Sequence, residues 1–237
     1  MNGFMFKVET FLDILVNKGG YKEVLTGLQN TMIIAVAGLL IGIVIGTLIA
    51  TIRVMPKYKA VVRAMDKFCS FYVGLFRGTP MVVQLLVFYY VVLPLMGLER
   101  IDSITVAIIV FGMNSGAYSS EIMRGGILSV DPGQMEGGRS VGLSYGTTML
   151  KIVIPQAVKN ILPTMGNEFI ALVKETSVVS FVGAKDLYLA FQSIGSGTYE
   201  YMVPYLAMAI IYIVIVCLIT VGIKIMERRL RKSDRGR

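Results

Sequence analysis

The chain has 237 residues and a formal net charge of +8; 55% of the residues are hydrophobic and 16% are charged. A soluble domain carries about 25% charged residues, so this composition excludes an ordinary soluble domain and favours one compact membrane domain. Histidine is absent, which removes the commonest general base and zinc ligand. The two cysteines, Cys69 and Cys217, lie in or beside apolar segments and do not indicate a disulfide framework.

Taken in chain order, residues 1–30 mix charged and apolar side chains, which predicts an amphipathic segment at the membrane interface. Crossing roughly 30 Å of hydrocarbon takes about 20 apolar residues. Apolar segments in the domain 31–226 therefore predict an all-α polytopic membrane protein with five transmembrane helices. The predicted spans are Thr31 to about Ile52, Met81–Met96, Ser103–Ser120, Ile161–Phe181 and Met202–Ile225.

The first predicted span carries small residues in phase. Gly38, Gly42, Gly46 and Ala50 recur every four residues along it. Such a stripe lets two helices approach closely in lipid. We prefer this interpretation to the alternative that glycine is simply frequent in membrane helices.

Most of the 23 lysines and arginines lie in the segments 53–77, 121–159 and 224–237. The positive-inside rule places these segments in the cytoplasm, so we predict an outside N-terminus and a cytoplasmic C-terminus. This placement explains the net charge without a nucleic-acid partner. We also predict two loops, Arg53–Lys67 and Val182–Tyr201, and a basic cytoplasmic tail at 227–237.

The stretch Gln134–Pro155 is polar and rich in glycine, although it lies between two strongly apolar segments. It contains no nucleophile–base pair, metal-ligand cluster or phosphate loop, so we predict neither a catalytic residue nor a metal site. We interpret it as a docking surface for a protein in the cytoplasm. A turn signal at 131–133 begins this loop, which we define as 131–155.

Within the loop, Gln134–Val141 is predicted to form a short helix that breaks at Gly142. Ser144 is predicted to cap a second helix, Tyr145–Ile152, which ends before Pro155. Two short helices joined at a glycine make an L-shaped knob, and such a knob can enter a groove on another protein and transmit a push.

A spaced motif lies in the same loop, and its six positions are Glu136, Gly137, Gly138, Gly142, Ile152 and Pro155. It resembles the cytoplasmic loop of permease subunits of bacterial ABC importers: Glu-Ala-Ala, three residues, Gly, nine residues, Ile, any residue, Leu, Pro. Glycine replaces both alanines, and Ile154 replaces the leucine. Each glycine destabilises a helix by about 1 kcal/mol relative to alanine. We therefore expect the first coupling helix to be stably formed only when it is docked on its partner.

Further segments are similar to the polar amino-acid branch of that family, the histidine, glutamine, glutamate and arginine permeases. They are Arg77–Pro80, Val83–Leu86, Ala117–Tyr118, Glu121–Ile122, Arg124–Gly125, and Asn167–Phe169 with Lys174 and Ser177. The resemblance covers roughly residues 20–225. It implies a type I ABC importer permease, a multi-pass protein of the cytoplasmic membrane that is not itself an enzyme.

The resemblance also implies a set of partners. They are a second permease subunit (the same chain or a related one), two cytoplasmic ATP-binding subunits and an extracytoplasmic amino-acid-binding protein. The chain itself contains no GxxxxGK[ST] phosphate loop. We therefore expect it to bind no cofactor, with ATP and Mg held by the partner ATPase.

Ionisable residues inside a span cost about 2.5–3.5 kcal/mol each, so they usually face a cavity or a partner. Glu168 and Glu175 are two helical turns apart on the fourth predicted span, and together they suit the ammonium of an amino acid. The equal alternative is an ion pair with Lys174 or with a neighbouring subunit. A list of weaker candidates for the substrate pathway comprises Asn114, Ser115 and Tyr118, for which helix–helix hydrogen bonding is the alternative.

Three rival functions remain open at this point. A stand-alone secondary transporter would use the intramembrane carboxylates for coupling ions, but five spans do not divide into inverted repeats and the docking loop would have no role. An intramembrane enzyme is the second rival, but the chain has no histidine and no nucleophile–base pair for catalysis. An ABC importer permease for another small polar solute differs only in the amino-acid-branch segments.

Overall fold

In the computed structural model, residues 3–98 and 100–235 are described, with side chains as far as Leu230. They form helices and no strand, which confirms the predicted all-α class. Residues 236 and 237 of the predicted basic tail lie outside the described residues. The helices are α1 (Gly3–Leu12), α2 (Gly20–Val54), α3 (Ala60–Arg77), α4 (Met81–Leu95), α5 (Ser103–Leu128), α6 (Pro132–Ser140), α7 (Tyr145–Thr148), α8 (Ile154–Glu175), α9 (Leu187–Thr198) and α10 (Met202–Arg235).

Two of the described helices are long and apolar enough to cross a membrane. They are α2, whose most apolar 18 residues have a mean hydropathy of 2.8, and the Met202–Leu230 part of α10, whose most apolar 18 residues have 2.9. α3 and α4 make a third candidate when they are taken as one broken span. The structure thus gives two to three candidate spans by length and composition.

Helices extend beyond the apolar segments that predicted them. α2 begins at Gly20 rather than near Thr31, and α5 continues from Ser103 to Leu128, past Ser120. Apolar length measures only the part of a helix that suits hydrocarbon. Backbone hydrogen bonds continue the helix into polar sequence, so hydropathy alone underestimates helix length.

The two predicted loops are largely helical. Only residues 55–59 separate α2 from α3, so most of Arg53–Lys67 belongs to an amphipathic helix whose polar face was misread as a loop. The segment Val182–Tyr201 contains α9, which Asp186 caps by accepting hydrogen bonds from the backbone N–H groups of Tyr188 and Leu189. Both predictions were wrong because charge and glycine content were taken as signs of irregular structure.

The chain folds into two compact units. The first contains Met1–Gly38, Pro80–Phe111 and Ala171–Leu218, and the second contains Leu39–Thr79, Gly112–Ile170 and Ile219–Arg237.

The first unit is built around α9. Its apolar core contains Phe11, Val24, Leu187, Phe191 and Ile194. The rings of Phe11 and Phe191 stack with their centroids 6.4 Å apart. This packing fixes α1 against α9, although the role of residues 1–30 at a membrane interface stays a prediction.

Polar contacts fix the start of α9 to α2 in the same unit. Asn30 donates a hydrogen bond to the Lys185 carbonyl at 2.7 Å, and the Leu187 N–H donates to Thr31 Oγ1 at 3.2 Å. A Cβ atom added to Gly27 would lie 2.5 Å from the Asp186 carbonyl oxygen. The backbones therefore approach so closely here that only glycine fits.

In the second unit, α2 and α5 pack through the predicted small-residue stripe. A Cβ atom on Gly42 would lie 2.5 Å from Ser115 Oγ, and one on Gly46 would lie 2.6 Å from Ser119 Cβ. Ala50, the last residue of the stripe, is also buried. The close approach of two helices is the packing that the stripe predicts.

Candidate coupling loop and substrate pathway

The first helix of the loop, α6, has well-formed ends. Asp131 caps it by accepting a hydrogen bond from the Gly133 N–H at 2.8 Å, and Pro132 occupies the first turn. At the other end, the N–H of Leu143 donates to the Gly138 carbonyl, and Gly142 has φ +87°. This is a Schellman motif, in which the left-handed residue is normally glycine. The predicted break at Gly142 is confirmed.

The second helix begins where the sequence predicts. Ser144 Oγ accepts a hydrogen bond from the Thr147 N–H at 3.2 Å and so caps α7. The predicted end before Pro155 is wrong, because a π-helical stretch, Met149–Val153, leads directly into α8. Pro155 is the second residue of α8. Its missing N–H and its ring require a looser turn before it, and the π-helical stretch supplies one.

One of the two glycines that replace alanine in the motif has a packing role. A Cβ atom on Gly138 would lie 2.5 Å from Thr148 Cγ2 and 3.2 Å from the tip of Ile152. Gly137 is exposed, and nothing lies within 4 Å of its Cβ position. Gly138 thus lets α6 lie directly against α7 and the π-helical stretch, whereas Gly137 costs helicity without a compensating contact.

One side of the loop 131–155 packs on a buried apolar cluster, and other side chains of the loop are exposed. Val130, Val153 and Ala157 form a small buried apolar cluster at its base. Glu136 is exposed, and Val141 and Leu150 keep 78% and 67% of their surface exposed. A firm base with exposed apolar side chains is the surface that a docking partner needs.

Sequence reasoning missed a charged cluster beside the loop. The carboxylate of Glu121 on α5 accepts hydrogen bonds from Arg53, near the end of α2, and from Arg124, one turn along α5. The Tyr145 hydroxyl donates to the Val54 carbonyl at 3.4 Å. Burial raises the pKa of the Tyr145 phenol, so the hydroxyl keeps its proton. The segment containing Glu121 and Arg124 was identified as a family motif, but nothing local in it reveals Arg53 as the partner.

Two of the predicted substrate-pathway residues lie against the end of α3. The Asn114 side chain is 4% exposed and donates to the Phe76 carbonyl at 3.4 Å. The guanidinium of Arg77 lies 5.4 Å from the centre of the Tyr118 ring, a cation–π contact. Both contacts are of the kind that the helix-packing alternative describes, and they bring a polar group and a cation to the same helix end.

The other three predicted residues are placed differently. Ser115 is fully buried against Gly42, and its hydroxyl has no hydrogen-bond partner among the described residues. Glu168 is half-buried within α8, whereas Glu175 is exposed and ends that helix before a 3₁₀ turn, Thr176–Val182. The exposure of Glu175 leaves its carboxylate accessible to a ligand or a partner.

No group of metal-ligating side chains is found in the part of the chain that the structure describes. The free Cys69 is buried and the free Cys217 is exposed.

Comparison with known proteins identifies the family. Residues 38–232 match the family described as "Binding-protein-dependent transport system inner membrane component". The arginine transport system permease protein ArtQ of Bacillus subtilis (strain 168) is 36% identical over 89% of this chain and 94% of its own length. A putative glutamine transport system permease protein, GlnP, of Rickettsia bellii (strain RML369-C) is 36% identical over 87% of this chain and 92% of its own.

A solved structure agrees with these relatives. It is described as a crystal structure of an amino acid ABC transporter with histidines, and it is 36% identical to this chain. The match has a TM-score of 0.83 and covers 92% of this chain and 98% of that one. The chain therefore belongs to the family of binding-protein-dependent transport system inner membrane components, and its fold is that of a type I ABC importer permease.

Proposed function

We propose that this chain is the permease subunit of an ATP-driven importer that carries a polar amino acid across the cytoplasmic membrane. The observation that carries this proposal is the loop 131–155, a knob with firm caps, an apolar base and exposed Glu136, Val141 and Leu150. Relatives named as arginine and glutamine permeases support the choice of cargo.

The proposed topology has five spans, an outside N-terminus and a cytoplasmic C-terminus. The distribution of lysine and arginine supports this orientation. α4 and α5 supply two of the spans beyond α2 and α10, and α8 together with the 3₁₀ turn Thr176–Val182 supplies the predicted span Ile161–Phe181. Cysteine accessibility on the two sides of a sealed vesicle tests the orientation.

The proposed assembly contains a second permease, two ATP-binding subunits that hold ATP and Mg, and an extracytoplasmic binding protein. The most apolar window of α10 has none of its residues buried within the chain. Such a helix is stable only if lipid or another subunit covers it. Glu136, Gly137, Gly138, Gly142, Ile152 and Pro155 form the proposed ATPase-coupling motif.

The proposed substrate pathway includes both carboxylates of α8. Glu168 and Glu175 would attract the ammonium group of an amino acid, and a cationic side chain would strengthen that attraction. Tyr118 lies beside the cation of Arg77, Asn114 donates to the neighbouring Phe76 carbonyl, and Ser115 offers a buried hydroxyl. These five residues are proposed to line the path.

Purification from the native membrane tests the whole proposal. A tagged chain should bring with it an ATP-binding subunit that has a phosphate loop, in about equal amount, and a second permease chain if the pair is mixed. In vesicles, the complex should take up labelled arginine or glutamine only with ATP. A pure chain that moves solute without ATP would instead establish a secondary transporter.

A matched pair of variants tests the cargo residues. Glu175→Gln should raise the substrate concentration needed for half-maximal uptake while leaving assembly unchanged. Glu23→Gln is the control, because Glu23 is also an exposed carboxylate but lies near the start of α2. Unchanged uptake kinetics in Glu175→Gln would mean that Glu175 does not contact the substrate and would favour the ion-pair alternative.

A further inference from the structure

An ion cluster of three residues joins the ends of α2 and α5 in the second unit. One carboxylate oxygen of Glu121 accepts a hydrogen bond from Arg53. The other accepts from Arg124 Nη2 at 2.9 Å and Nε at 3.3 Å. The side chains of Arg53 and Glu121 are 17% and 19% exposed. A single carboxylate thus pairs with two guanidinium groups and leaves a net charge of +1, at a site with little water where an unpaired charge is unfavourable.

The same helix end is bonded to the coupling loop. Tyr145, the first residue of α7, donates its hydroxyl hydrogen bond to the carbonyl of Val54, the last residue of α2. The last carbonyls of a helix have no partner inside it, so such a bond satisfies an otherwise unpaired group. A continuous set of contacts therefore leads from the loop through Val54 and Arg53 to Glu121.

Apolar packing around these polar contacts is incomplete. An open groove of about 390 Å³ lies between the end of α2 and the loop. Its lining includes Thr51, Met55, Ile127, Met149 and Leu150. Because the apolar side chains leave space here, the tyrosine hydrogen bond and the ion cluster are the directional contacts that fix the distance between the loop and the two helices.

We propose that Glu121 is a positioning residue that makes α2 and α5 move together when the coupling loop moves. A push on the loop reaches Val54 through Tyr145, and the Arg53–Glu121 contact passes it to α5. Without the carboxylate, the guanidinium groups of Arg53 and Arg124 repel each other and the helix ends separate. This role rests on the proposed function, since only an ATPase partner moves the loop.

The test uses the full complex of permease, ATP-binding subunits and binding protein in proteoliposomes. Amino-acid uptake and ATP hydrolysis are measured in the same vesicles, so that each variant gives a ratio of uptake to hydrolysis. Glu121→Gln should lower this ratio about fivefold, within the range of residues that carry coupling between sites. Glu121→Asp, which keeps the charge, should recover part of the loss.

The chain offers a matched control for ion-pair loss. Lys57 Nζ lies 2.6 Å from Asp66 Oδ2 in the same unit, and this pair touches neither Glu121 nor Tyr145 in the described structure. The double variant Lys57→Gln, Asp66→Asn removes one ion pair, of which the Asp66 side chain is 17% exposed, but leaves the contacts from Tyr145 to Glu121 complete. Its ratio of uptake to hydrolysis should equal that of the wild type.

Tyr145→Phe provides a second test if Glu121→Gln fails to assemble. It removes one hydroxyl group, and it should lower the ratio about threefold, as expected for one hydrogen bond. The proposal is overturned if Glu121→Gln and Tyr145→Phe, or whichever of the two assembles, keep the wild-type ratio of uptake to hydrolysis. Equal losses of uptake and hydrolysis would also overturn it, because they indicate a purely structural role.

The wild-type complex separates this proposal from the proposed function. If wild-type vesicles show no ATP-dependent uptake, the importer assignment itself fails and the positioning role fails with it. If wild-type vesicles transport and only the variant ratios stay unchanged, the importer assignment stands and only the role of Glu121 is overturned.

Discussion

The coupling loop and the α9 region both begin a short helix with an aspartate cap, yet they are held in opposite ways. Asp131 caps α6 at an exposed position, and the loop carries exposed Val141 and Leu150. Asp186 caps α9 with no exposed surface, and the core of the first unit surrounds the helix. The same type of capping residue therefore begins a helix on an exposed surface in one region and a buried helix in the other.

The difference comes from the neighbours and not from the caps. α9 is held by apolar side chains on several helices and by hydrogen bonds between its start and α2. The loop rests on a small apolar cluster and on a few polar contacts. Elements with few buried contacts open and shift at lower free energy than elements of the core. This contrast suits a loop that moves with a partner and a helix that does not.

The largest effect is expected at the break between the two loop helices. Gly142→Arg places a side chain at φ +87°, where L-residues are strained. The Schellman end should be lost, the knob should change shape, and ATP-driven uptake should fall to background while membrane insertion stays normal. Uptake assays with an insertion control check this. Full uptake by this variant would contradict the knob interpretation.

The buried Asp186 cap predicts that the stability of the protein depends on pH. Burial raises the pKa of Asp186 to about 6, although backbone hydrogen bonds oppose the shift. The pKa of this carboxyl is 3.8 in the unfolded chain, so between pH 3.8 and about pH 6 the carboxyl is protonated in the folded state but not in the unfolded state. Stability from this group is therefore greatest at low pH and falls as pH rises through that window, by up to about 3 kcal/mol.

Thermal unfolding in detergent at pH 4–7 measures this effect. The melting temperature of Asp186→Asn relative to the wild type should rise with pH, because asparagine caps the helix without a buried charge. Asp102→Asn is the matched control. Asp102 caps α5 by accepting hydrogen bonds from the backbone N–H groups of Ile104 and Thr105. Hydrogen bonds from Thr105 lower the pKa of this exposed carboxyl, so the stability that it contributes rises with pH, the opposite sign. If the difference in melting temperature between Asp186→Asn and the wild type does not change with pH, the prediction is contradicted.

A smaller, steric effect is expected at Gly27, where α2 contacts the start of α9. Gly27→Ala would place a Cβ atom 2.5 Å from the Asp186 carbonyl oxygen. Backbone must shift to relieve this contact, and such overpacking costs about 1–3 kcal/mol. Thermal unfolding should show the loss. An unchanged melting temperature would mean that α2 and α9 do not approach as closely as described.

The smallest predicted effect has the opposite sign. Gly137→Ala adds a methyl group where nothing lies within 4 Å, so it should stabilise α6 by about 1 kcal/mol through helix propensity alone. Hydrogen exchange of the α6 amides should slow. Gly138→Ala is the contrasting variant, because its methyl group would meet Thr148, and faster exchange is expected there.

Much of the fold follows from local sequence. The all-helical class of the described residues, the close packing at Gly42 and Gly46, the helix break at Gly142 and the Ser144 cap were all predictable. Each depends on residues within a few positions of one another: apolar runs, a four-residue period, a left-handed glycine or a capping hydroxyl. Their physical causes are contained in one helix or one turn.

Other features depended on contacts between residues far apart in the chain. The helix α9 was predicted as a loop, and its packing against α1 and α2 brings together residues far apart in the chain. The Glu121 cluster required Arg53 from another helix, a partner that no local motif announces.

The sequence by itself therefore determined the class of protein, the loop motif and the turn chemistry, because these follow from composition and short-range geometry. Only the tertiary structure decided which polar groups pair, why Gly138 lies against Thr148, and how α2 is tied to the loop through Tyr145. These depend on which helices become neighbours, and that choice is made by the packing of the whole chain.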